Sequence, residues 1–172
     1  MNVKPDNLPA KLRENALFCC WRYEERSGKR TKVPYNPKTG GRAQSTNPAT
    51  FAPLHMALDA MERGNYDGIG VGIFGNLGAI DIDHCIDGDG VISDMALDVM
   101  RTMDAYTEEK SPSGQGLRIL FTVPEGFQYN RGRYYINNQK LGLEVYIAGQ
   151  TNKYVTVTGD ALTPGLDLLE RG

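Results

Sequence analysis

The sequence is poor in the residues that cross-link small proteins or bind zinc, with three cysteines and two histidines among 172 residues. Two of the cysteines, Cys19 and Cys20, are adjacent, which makes a poor disulfide framework. His84 and Cys85 are also neighbours, whereas zinc sites use wider ligand pairs such as Cys-x-x-Cys. We therefore expect buried, reduced cysteines and no zinc site.

Long apolar runs and low-complexity linkers are missing as well. No run approaches the roughly 20 residues of a membrane-spanning helix, and the N-terminal segment MNVKPDNLPAKLREN contains no signal-peptide core. The composition, 40% apolar and 23% charged, is typical of a globular chain. We expect a single domain over residues 1–172, in the cytoplasm and with no membrane partner.

The net charge of −2 hides an uneven distribution of charge. Residues 1–42 carry ten Lys and Arg against four Asp and Glu, residues 43–110 carry three against twelve, and residues 111–172 carry six against five. Such blocks can form a basic groove beside an acidic metal site, although solvated faces of varying sign give the same pattern. Charge alone leaves nucleic-acid binding open.

Apolar spacing and turn residues predict an α+β fold with the order βαββαβββ and a mainly antiparallel sheet flanked by helices. The predicted helices cover residues 8–15, 45–64 and 95–107. The predicted strands cover residues 16–25, 68–75, 77–84, 116–124, 141–149 and 153–160, with a short strand within 31–41. Gly75 and Asn76 predict that two of these strands form a β-hairpin.

The acidic stretch AIDIDHCIDGDGVIS admits two metal chemistries, and calcium is the first. Residues 85–96 carry the middle ligands of an EF-hand loop, but Cys85 and Ala96 stand where its first and last carboxylates belong. A hard cation needs those oxygens. We therefore expect a tight turn that leads into a helix capped by Ser93 or Asp94.

The second chemistry is a pair of carboxylates on a strand. Asp81 and Asp83 alternate with Ile80 and Ile82, and residues two apart on a strand share a face. The isoleucines would enter the core, and the two carboxylates would project together from the other face. Two like charges this close repel each other unless a cation lies between them. The pattern predicts magnesium or manganese, and a solvated strand face is the alternative.

Glu144 is the candidate for a third carboxylate. It alternates with Leu143 and Val145 in the segment LGLEVYI, so it would point away from the core as the aspartates do. Three carboxylates on neighbouring strands can hold two metals about 3.5–4 Å apart for phosphoryl transfer. An ordinary polar residue on an exposed face is the alternative.

The segment SPSGQGLRIL is a candidate nucleotide-binding loop. Ser113, Gly114 and Gly116 are small, so backbone N–H groups can approach an anion there. Arg118 alternates with apolar neighbours, which predicts that it faces the carboxylate side and offers its planar fork to a triphosphate. Taken alone, a Ser/Gly loop is more often only a turn.

Six segments follow one another in order: TKVPYNPKTGGRAQSTNPATF, GIGVGIFG, GAIDIDHC, YTEEKSPSGQGLRI, LEVYIAG and KYVTVTGD. Together, over roughly residues 17–160, they resemble the catalytic domain of phage and plasmid primase-polymerases of the archaeo-eukaryotic primase superfamily. The resemblance implies a catalytic lobe related to RNA-recognition folds and a small N-terminal lobe. The active site is expected in the cleft between the two lobes.

The resemblance also implies the activity. It is template-directed nucleotidyl transfer: a DNA primase, a DNA polymerase or both, making primers on single-stranded DNA by a two-metal mechanism with Mg²⁺ or Mn²⁺. The implied partners are a single-stranded DNA template, nucleoside triphosphates of the ribo or deoxyribo type, and a helicase domain or subunit. The implied source is a phage or plasmid replication protein. Its implied location is the bacterial cytoplasm, and no membrane partner is implied.

The resemblance assigns roles to individual residues. The implied catalytic and metal-binding residues are Asp81, Asp83 and Glu144. The implied nucleotide-binding residues are Ser113, Gly114, Gly116, Arg118, Lys32 and Lys153. Two of these depart from the family pattern, since relatives commonly have His in place of Arg118 and Arg in place of Lys153. Arginine binds phosphate but cannot act as a neutral base, so nucleotide binding is expected to survive better than catalysis.

Arg131, Arg133 and Tyr134 lie in a segment that mixes basic and aromatic side chains, which suits stacking on single-stranded nucleic acid and contact with its phosphates. A β-hairpin with a polar face is the alternative. Two other functions use the same residues. One is a nucleotide- or nucleic-acid-binding replication module without catalysis, and the other is a metal-dependent nuclease.

Overall fold

A computed structural model describes residues 3–110, 114–130, 137–151 and 153–171. Over these ranges the chain forms three α-helices: α1 Ala10–Asn15, α2 Leu54–Arg63 and α3 Asp94–Met103. It also forms nine strands, namely β1 Phe18–Arg26, β2 Lys29–Tyr35, β3 Gly68–Gly72, β4 Leu77–Ile82, β5 Tyr106–Lys110, β6 Gly116–Thr122, β7 Asn137–Asn138, β8 Leu143–Ile147 and β9 Tyr154–Val157.

The strands form two sheets in which every neighbouring pair is antiparallel. The first sheet has the order β2-β1-β3-β9, and the second sheet has the order β5-β6-β4-β8-β7. The α+β class with antiparallel strands is therefore confirmed, although the chain builds two sheets instead of one.

The two sheets share one hydrophobic core, and a second core lies under α3. The shared core combines residues of α1 and α2 with Ile69 and Val71 of the first sheet and Leu77 and Ala79 of the second. On the opposite face of β4, Ile80 and Ile82 belong to the core that contains residues of α3. The expected alternation along β4 is confirmed, with the isoleucines on the α3 side.

The predicted hairpin of strands 68–75 and 77–84 is wrong. β3 pairs with β1 and β9 in the first sheet, whereas β4 pairs with β6 and β8 in the second. Gly75 and Asn76 lie in the link between the two sheets. A turn-forming dipeptide reverses the chain locally, but side-chain packing over long range selects the partner strand.

The start of the second predicted helix also shifts. Asn47 caps a short 3-10 turn at Pro48–Thr50, and α2 begins only at Leu54, after Pro53. Proline disfavours the helical region for the residue before it, which separates the two elements. At its other end, α2 stops before Gly64 as expected.

Helix α3 begins at the expected cap, because the Ser93 side chain accepts a hydrogen bond from the Ala96 amide. It ends at Met103, and Asp104 adopts a left-handed conformation. The following residues Tyr106–Lys110 form β5, which the sequence did not predict. Glu and Lys, three of the five residues in YTEEK, are depleted in strands, and pairing with β6 overrides this preference.

All three cysteines are free and buried, as expected. Burial raises the pKa of the Cys20 thiol to about 11, so it stays protonated and unreactive at neutral pH. In the ranges that the structure describes, no helix has the length and apolar character of a membrane span.

Candidate active site

One row of polar side chains crosses all five strands of the second sheet. The strand register pairs Glu108 with Arg118, Arg118 with Asp81, Asp81 with Glu144, and Glu144 with Asn137. Directly opposed residues of antiparallel strands point to the same face. We call these five residues the polar row. It brings two of the three predicted carboxylates, Asp81 and Glu144, into register on neighbouring strands.

A buried ion pair occupies the centre of the polar row. Arg118 Nε donates to Asp81 Oδ1 at 2.6 Å, and Arg118 Nη2 donates to Asp81 Oδ2 at 2.9 Å. Arg118 is 2% exposed and Asp81 is 4% exposed. Burial lowers the pKa of the Arg118 guanidinium, but the charge of Asp81 and the hydrogen bonds to it outweigh burial and raise the pKa above its ordinary value.

The third nitrogen of Arg118 links the two sheets. Nη1 donates to Thr156 Oγ1 at 2.9 Å, and Thr156 lies on β9 of the first sheet, 4% exposed. All three guanidinium nitrogens therefore have partners. Arg118 faces the carboxylate side as predicted, but its fork is engaged by Asp81, and binding of a triphosphate stays a prediction.

Glu144 is held by neighbours on its own side of the row. Asn137 Nδ2 donates to Glu144 Oε1 at 2.6 Å, and the Tyr146 hydroxyl donates to Glu144 Oε2. Burial raises the pKa of the Tyr146 hydroxyl, and the charge of Asp81 raises it further, so the phenol remains a donor at neutral pH. The carboxylates of Asp81 and Glu144 lie on adjacent strands at paired positions.

Glu108 ends the row on β5 and is fully buried. Its carboxyl oxygens accept hydrogen bonds from the Tyr106 hydroxyl at 3.0 Å, from the Thr158 amide at 3.2 Å and from the Gly159 amide at 2.9 Å. Burial raises the pKa of Glu108 above its ordinary value, and the charge of Arg118 only partly opposes this effect. The carboxyl joins the end of β9 to the second sheet.

The stability of the fold is expected to depend on pH through Glu108. Its folded pKa lies above the unfolded value of 4.5, so its favourable contribution is fully present below that value and is lost as pH rises through the folded pKa. Glu108→Gln removes this titration. We compare the unfolding free energy of the wild type with that of Glu108→Gln. As pH rises above 4.5, we expect the wild-type value to fall relative to that of the variant, by at most about 1.4 kcal/mol per pH unit.

Urea unfolding followed by circular dichroism at several pH values measures this difference. Glu125→Gln is the matched control for the loss of an exposed carboxylate. The prediction is contradicted if the unfolding free energy of the wild type, relative to that of Glu108→Gln, stays constant or grows with rising pH.

Asp83 lies beyond the end of β4, next to the row. β4 ends at Ile82, and the Asp83 amide donates to the Gly142 carbonyl just before β8 at 2.8 Å. Asp83 is partly exposed, in contrast to the buried Asp81. The two aspartates therefore stand in different environments, although the sequence pattern treats them as a pair.

Lys32 lies on the first sheet over an aromatic surface. Its Nζ is 5.1 Å from the centroid of the Trp21 ring, and its carbonyl accepts a hydrogen bond from the Tyr154 hydroxyl at 3.0 Å. A Cβ at Gly70 would lie 2.8 Å from the Tyr154 ring, so glycine leaves room for this ring to cross β3. The predicted phosphate contact of Lys32 remains a prediction.

Lys153 is exposed and immediately precedes β9. It is three residues before Thr156, which corresponds to about 10 Å along an extended chain. Its carbonyl accepts a hydrogen bond from the Ile73 amide at 3.0 Å. Its charge therefore lies just before the strand that carries Thr156, the hydrogen-bond partner of Arg118.

Several predicted residues fall outside the described part of the chain. These are Ser113, in the candidate phosphate loop, and Arg131, Arg133 and Tyr134, in the basic and aromatic segment. Of the two loop glycines, Gly114 is exposed, and Gly116 is buried at the start of β6.

The calcium-like stretch is a turn, as expected. Asp87 Oδ1 accepts hydrogen bonds from the Asp89 and Val91 amides, both at 2.9 Å. This oxygen therefore closes the loop in front of α3. The arrangement agrees with the prediction of a tight turn followed by a capped helix.

The described side chains do not fit a metal centre as they are arranged. Among the described residues, no group of three or more His, Cys, Asp and Glu is placed to hold a metal ion. Both oxygens of Asp81 face Arg118, so the cation beside this carboxylate is a guanidinium. Asp81, Asp83 and Glu144 offer the oxygen ligands that Mg²⁺ and Mn²⁺ prefer, but both oxygens of Asp81 are hydrogen-bonded to Arg118.

Sequence reasoning missed Glu108 and Thr156, which complete the surroundings of Arg118. Thr156 alternates with Val155 and Val157, a signal that it faces away from the apolar core, but nothing local indicates its partner. Glu108 sits in a segment that was not expected to form a strand. Only the pairing of β5 with β6 reveals its place in the row.

The chain is similar to a phage protein over most of its length. It is 29% identical over 164 residues to the DNA Primase-polymerase of Nitratiruptor phage NrS-1, an alignment that covers 92% of this chain. The chain spans 21% of the length of that relative. No protein-family model matches the chain. The similarity supports a relationship with the primase-polymerases.

Proposed function

We propose that this chain is the nucleotidyl-transferring region of a DNA primase-polymerase, which makes primers on single-stranded DNA from nucleoside triphosphates. The observation that carries the proposal is the 29% identity to a phage DNA Primase-polymerase over 92% of the chain. The polar row is consistent with it, because it gathers carboxylates and a guanidinium at one place between two sheets.

The proposal includes the finer features that the family resemblance implies. The second sheet with α3 would be the RNA-recognition-like lobe of an archaeo-eukaryotic primase, since it carries Asp81 and Glu144. The first sheet with α1 and α2 would be the smaller lobe. A single-stranded template, ribo- or deoxyribonucleoside triphosphates, and a helicase domain or subunit are the proposed partners. The proposed location is the cytoplasm of a bacterial host.

The residues of the chain have separate roles in this proposal. Lys32 and Lys153 provide positive charge on the first sheet and would contact the phosphates of the nucleotide or template. Glu144 and Asp83 provide negative charge on the second sheet. Mg²⁺ or Mn²⁺ is the proposed cofactor, and because Arg118 engages Asp81, we assign no catalytic step to a metal held by these side chains in the described arrangement.

A second candidate is a nucleotide- or nucleic-acid-binding module without catalysis. The observation that favours it is the Asp81–Arg118 pair, which neutralises a carboxylate that a metal-dependent reaction would use. Such a module would retain the fold and bind nucleotide but form no product.

Primer synthesis on single-stranded DNA distinguishes the two candidates. We expect labelled primers from the wild type with nucleoside triphosphates and Mg²⁺ or Mn²⁺. Asp83→Ala is expected to lower the rate by about 10-fold to 100-fold, a range typical for residues that support a metal site. Asp83 is a cleaner target than Asp81, since it is partly exposed and its loss leaves the buried ion pair in place.

Asp89→Ala is the matched control, because Asp89 is exposed and contributes its backbone amide to the turn. It should synthesise primers at the wild-type rate. Wild-type protein that binds nucleotide without forming primers would support the non-catalytic module. Template cleavage without nucleoside triphosphates would indicate a nuclease, and equal rates for wild type and Asp83→Ala would remove Asp83 from the site.

A further inference from the structure

Arg118 stands where the sequence predicts a divalent cation. Its Nε and Nη2 each donate to a different oxygen of Asp81, so both oxygens already have a charged donor. Bidentate pairing of this kind is among the strongest hydrogen-bonded arrangements in proteins. A metal ligated through Asp81 would have to compete with the guanidinium for the same carboxylate.

The position of Arg118 is set from outside its own sheet. Thr156 on β9 accepts a hydrogen bond from Nη1, and both residues are buried. Glu108, its cross-strand neighbour on β5, adds a second carboxyl nearby and contributes to the electrostatics of the guanidinium. The guanidinium is therefore anchored from the first sheet as well as from within the polar row.

We propose that Arg118 is the resident counter-cation of Asp81, which a divalent metal has to displace, and that Thr156 is the positioning residue that keeps it there. The inference rests on the proposed function in taking Mg²⁺ or Mn²⁺ as the competing ligand. One cation suffices to neutralise Asp81, and a buried carboxylate holds either the guanidinium or a metal in close contact. Metal affinity is then set by how firmly the first sheet holds Arg118.

Mn²⁺ binding to the full chain tests this inference without nucleotide or template. The protein is titrated with Mn²⁺, and the concentration of free Mn²⁺ is measured by electron paramagnetic resonance. Arg118→Gln removes the fork and the charge, so we expect its Mn²⁺ dissociation constant to be about 10-fold to 100-fold lower than that of the wild type. Arg101→Gln on the exposed face of α3 is the matched control and should bind as the wild type does.

Thr156→Val tests the positioning role with a milder change. It removes the Nη1 partner and leaves the Asp81–Arg118 pair intact, so the fold should be retained. We expect the Mn²⁺ dissociation constant to fall about threefold to tenfold, since one hydrogen bond to a charged group is lost. This variant decides the proposal if Arg118→Gln does not fold.

The gain has to depend on Asp81. In Arg118→Gln that also carries Asp81→Asn, the increase in Mn²⁺ affinity should disappear. Unchanged or weaker Mn²⁺ binding in folded Arg118→Gln and in Thr156→Val overturns the inference, as does a gain that persists without the Asp81 carboxylate. Primer synthesis is a separate measurement. If the wild type makes no primers but Arg118→Gln gains Mn²⁺ affinity, the proposed function is contradicted and the inference about Arg118 is not.

Discussion

Asp81→Ala is expected to lower the free energy of unfolding by about 3–5 kcal/mol, because it leaves the buried Arg118 charge without its partner. Arg118 is 2% exposed, so water cannot replace the lost carboxylate. Thr156 offers a neutral oxygen, and the neighbouring Glu108 carboxyl has a pKa raised by burial, which disfavours its charged form. Removing one partner of a buried pair costs more than the net value of the pair. Urea unfolding at neutral pH measures the change.

A double variant separates this effect from a simple loss of packing. Asp81→Ala combined with Arg118→Leu removes both charges, and we expect it to be more stable than Asp81→Ala alone. Asp89→Ala serves as the control for the loss of an exposed aspartate and should change stability by no more than about 0.5 kcal/mol. A fall of similar size in Asp81→Ala and Asp89→Ala would show that the ion pair does not form in solution.

Gly159→Ala is expected to lower the free energy of unfolding by about 2–5 kcal/mol, the sum of backbone strain and overpacking. Gly159 has a φ of +74°, where side chains are strained, and an added Cβ would lie 2.0 Å from the Lys4 carbonyl oxygen. Lys4 is fixed there, since its amide donates to the Thr158 carbonyl at 2.8 Å. The Gly159 amide also donates to Glu108, so the displaced backbone would disturb the end of the polar row.

Gly165→Ala measures the backbone-strain part of this effect, and its difference from Gly159→Ala gives the steric part. Gly165 has a φ of +83°, close to that of Gly159, but an added Cβ would meet no atom within 4 Å. We expect this control to lose only about 1–2 kcal/mol, the strain of the left-handed backbone. Equal losses in the two variants, measured by urea unfolding, would contradict the close approach of Gly159 to Lys4.

Local patterns predicted the faces of the central strands. The alternation of Ile80 and Ile82 with Asp81 predicted that the carboxylate points away from the isoleucine core, and the alternation around Glu144 predicted the same for Glu144. The cap of α3 was also predicted, at Ser93 or Asp94, and it lies at Ser93, because capping depends on a few consecutive residues. These features succeed because the period of a strand and the start of a helix are encoded within short segments.

Pairing between distant segments was beyond such patterns. Gly75 and Asn76 suggested a hairpin, but β3 and β4 found different partners in two sheets. The polar segment that forms β5 was not expected to be a strand. Both outcomes depend on which apolar faces pack together in the complete fold, and that information is spread over the whole chain.

The sequence by itself determined which faces Asp81, Glu144 and Arg118 occupy, since alternation along a strand is a property of consecutive residues. Only the tertiary structure decided what those side chains meet. Asp81 and Arg118 are 37 positions apart, and Arg118 and Thr156 are 38 apart. Their contacts arise because two sheets come together around one core, so that the cation beside Asp81 is a residue of the chain itself.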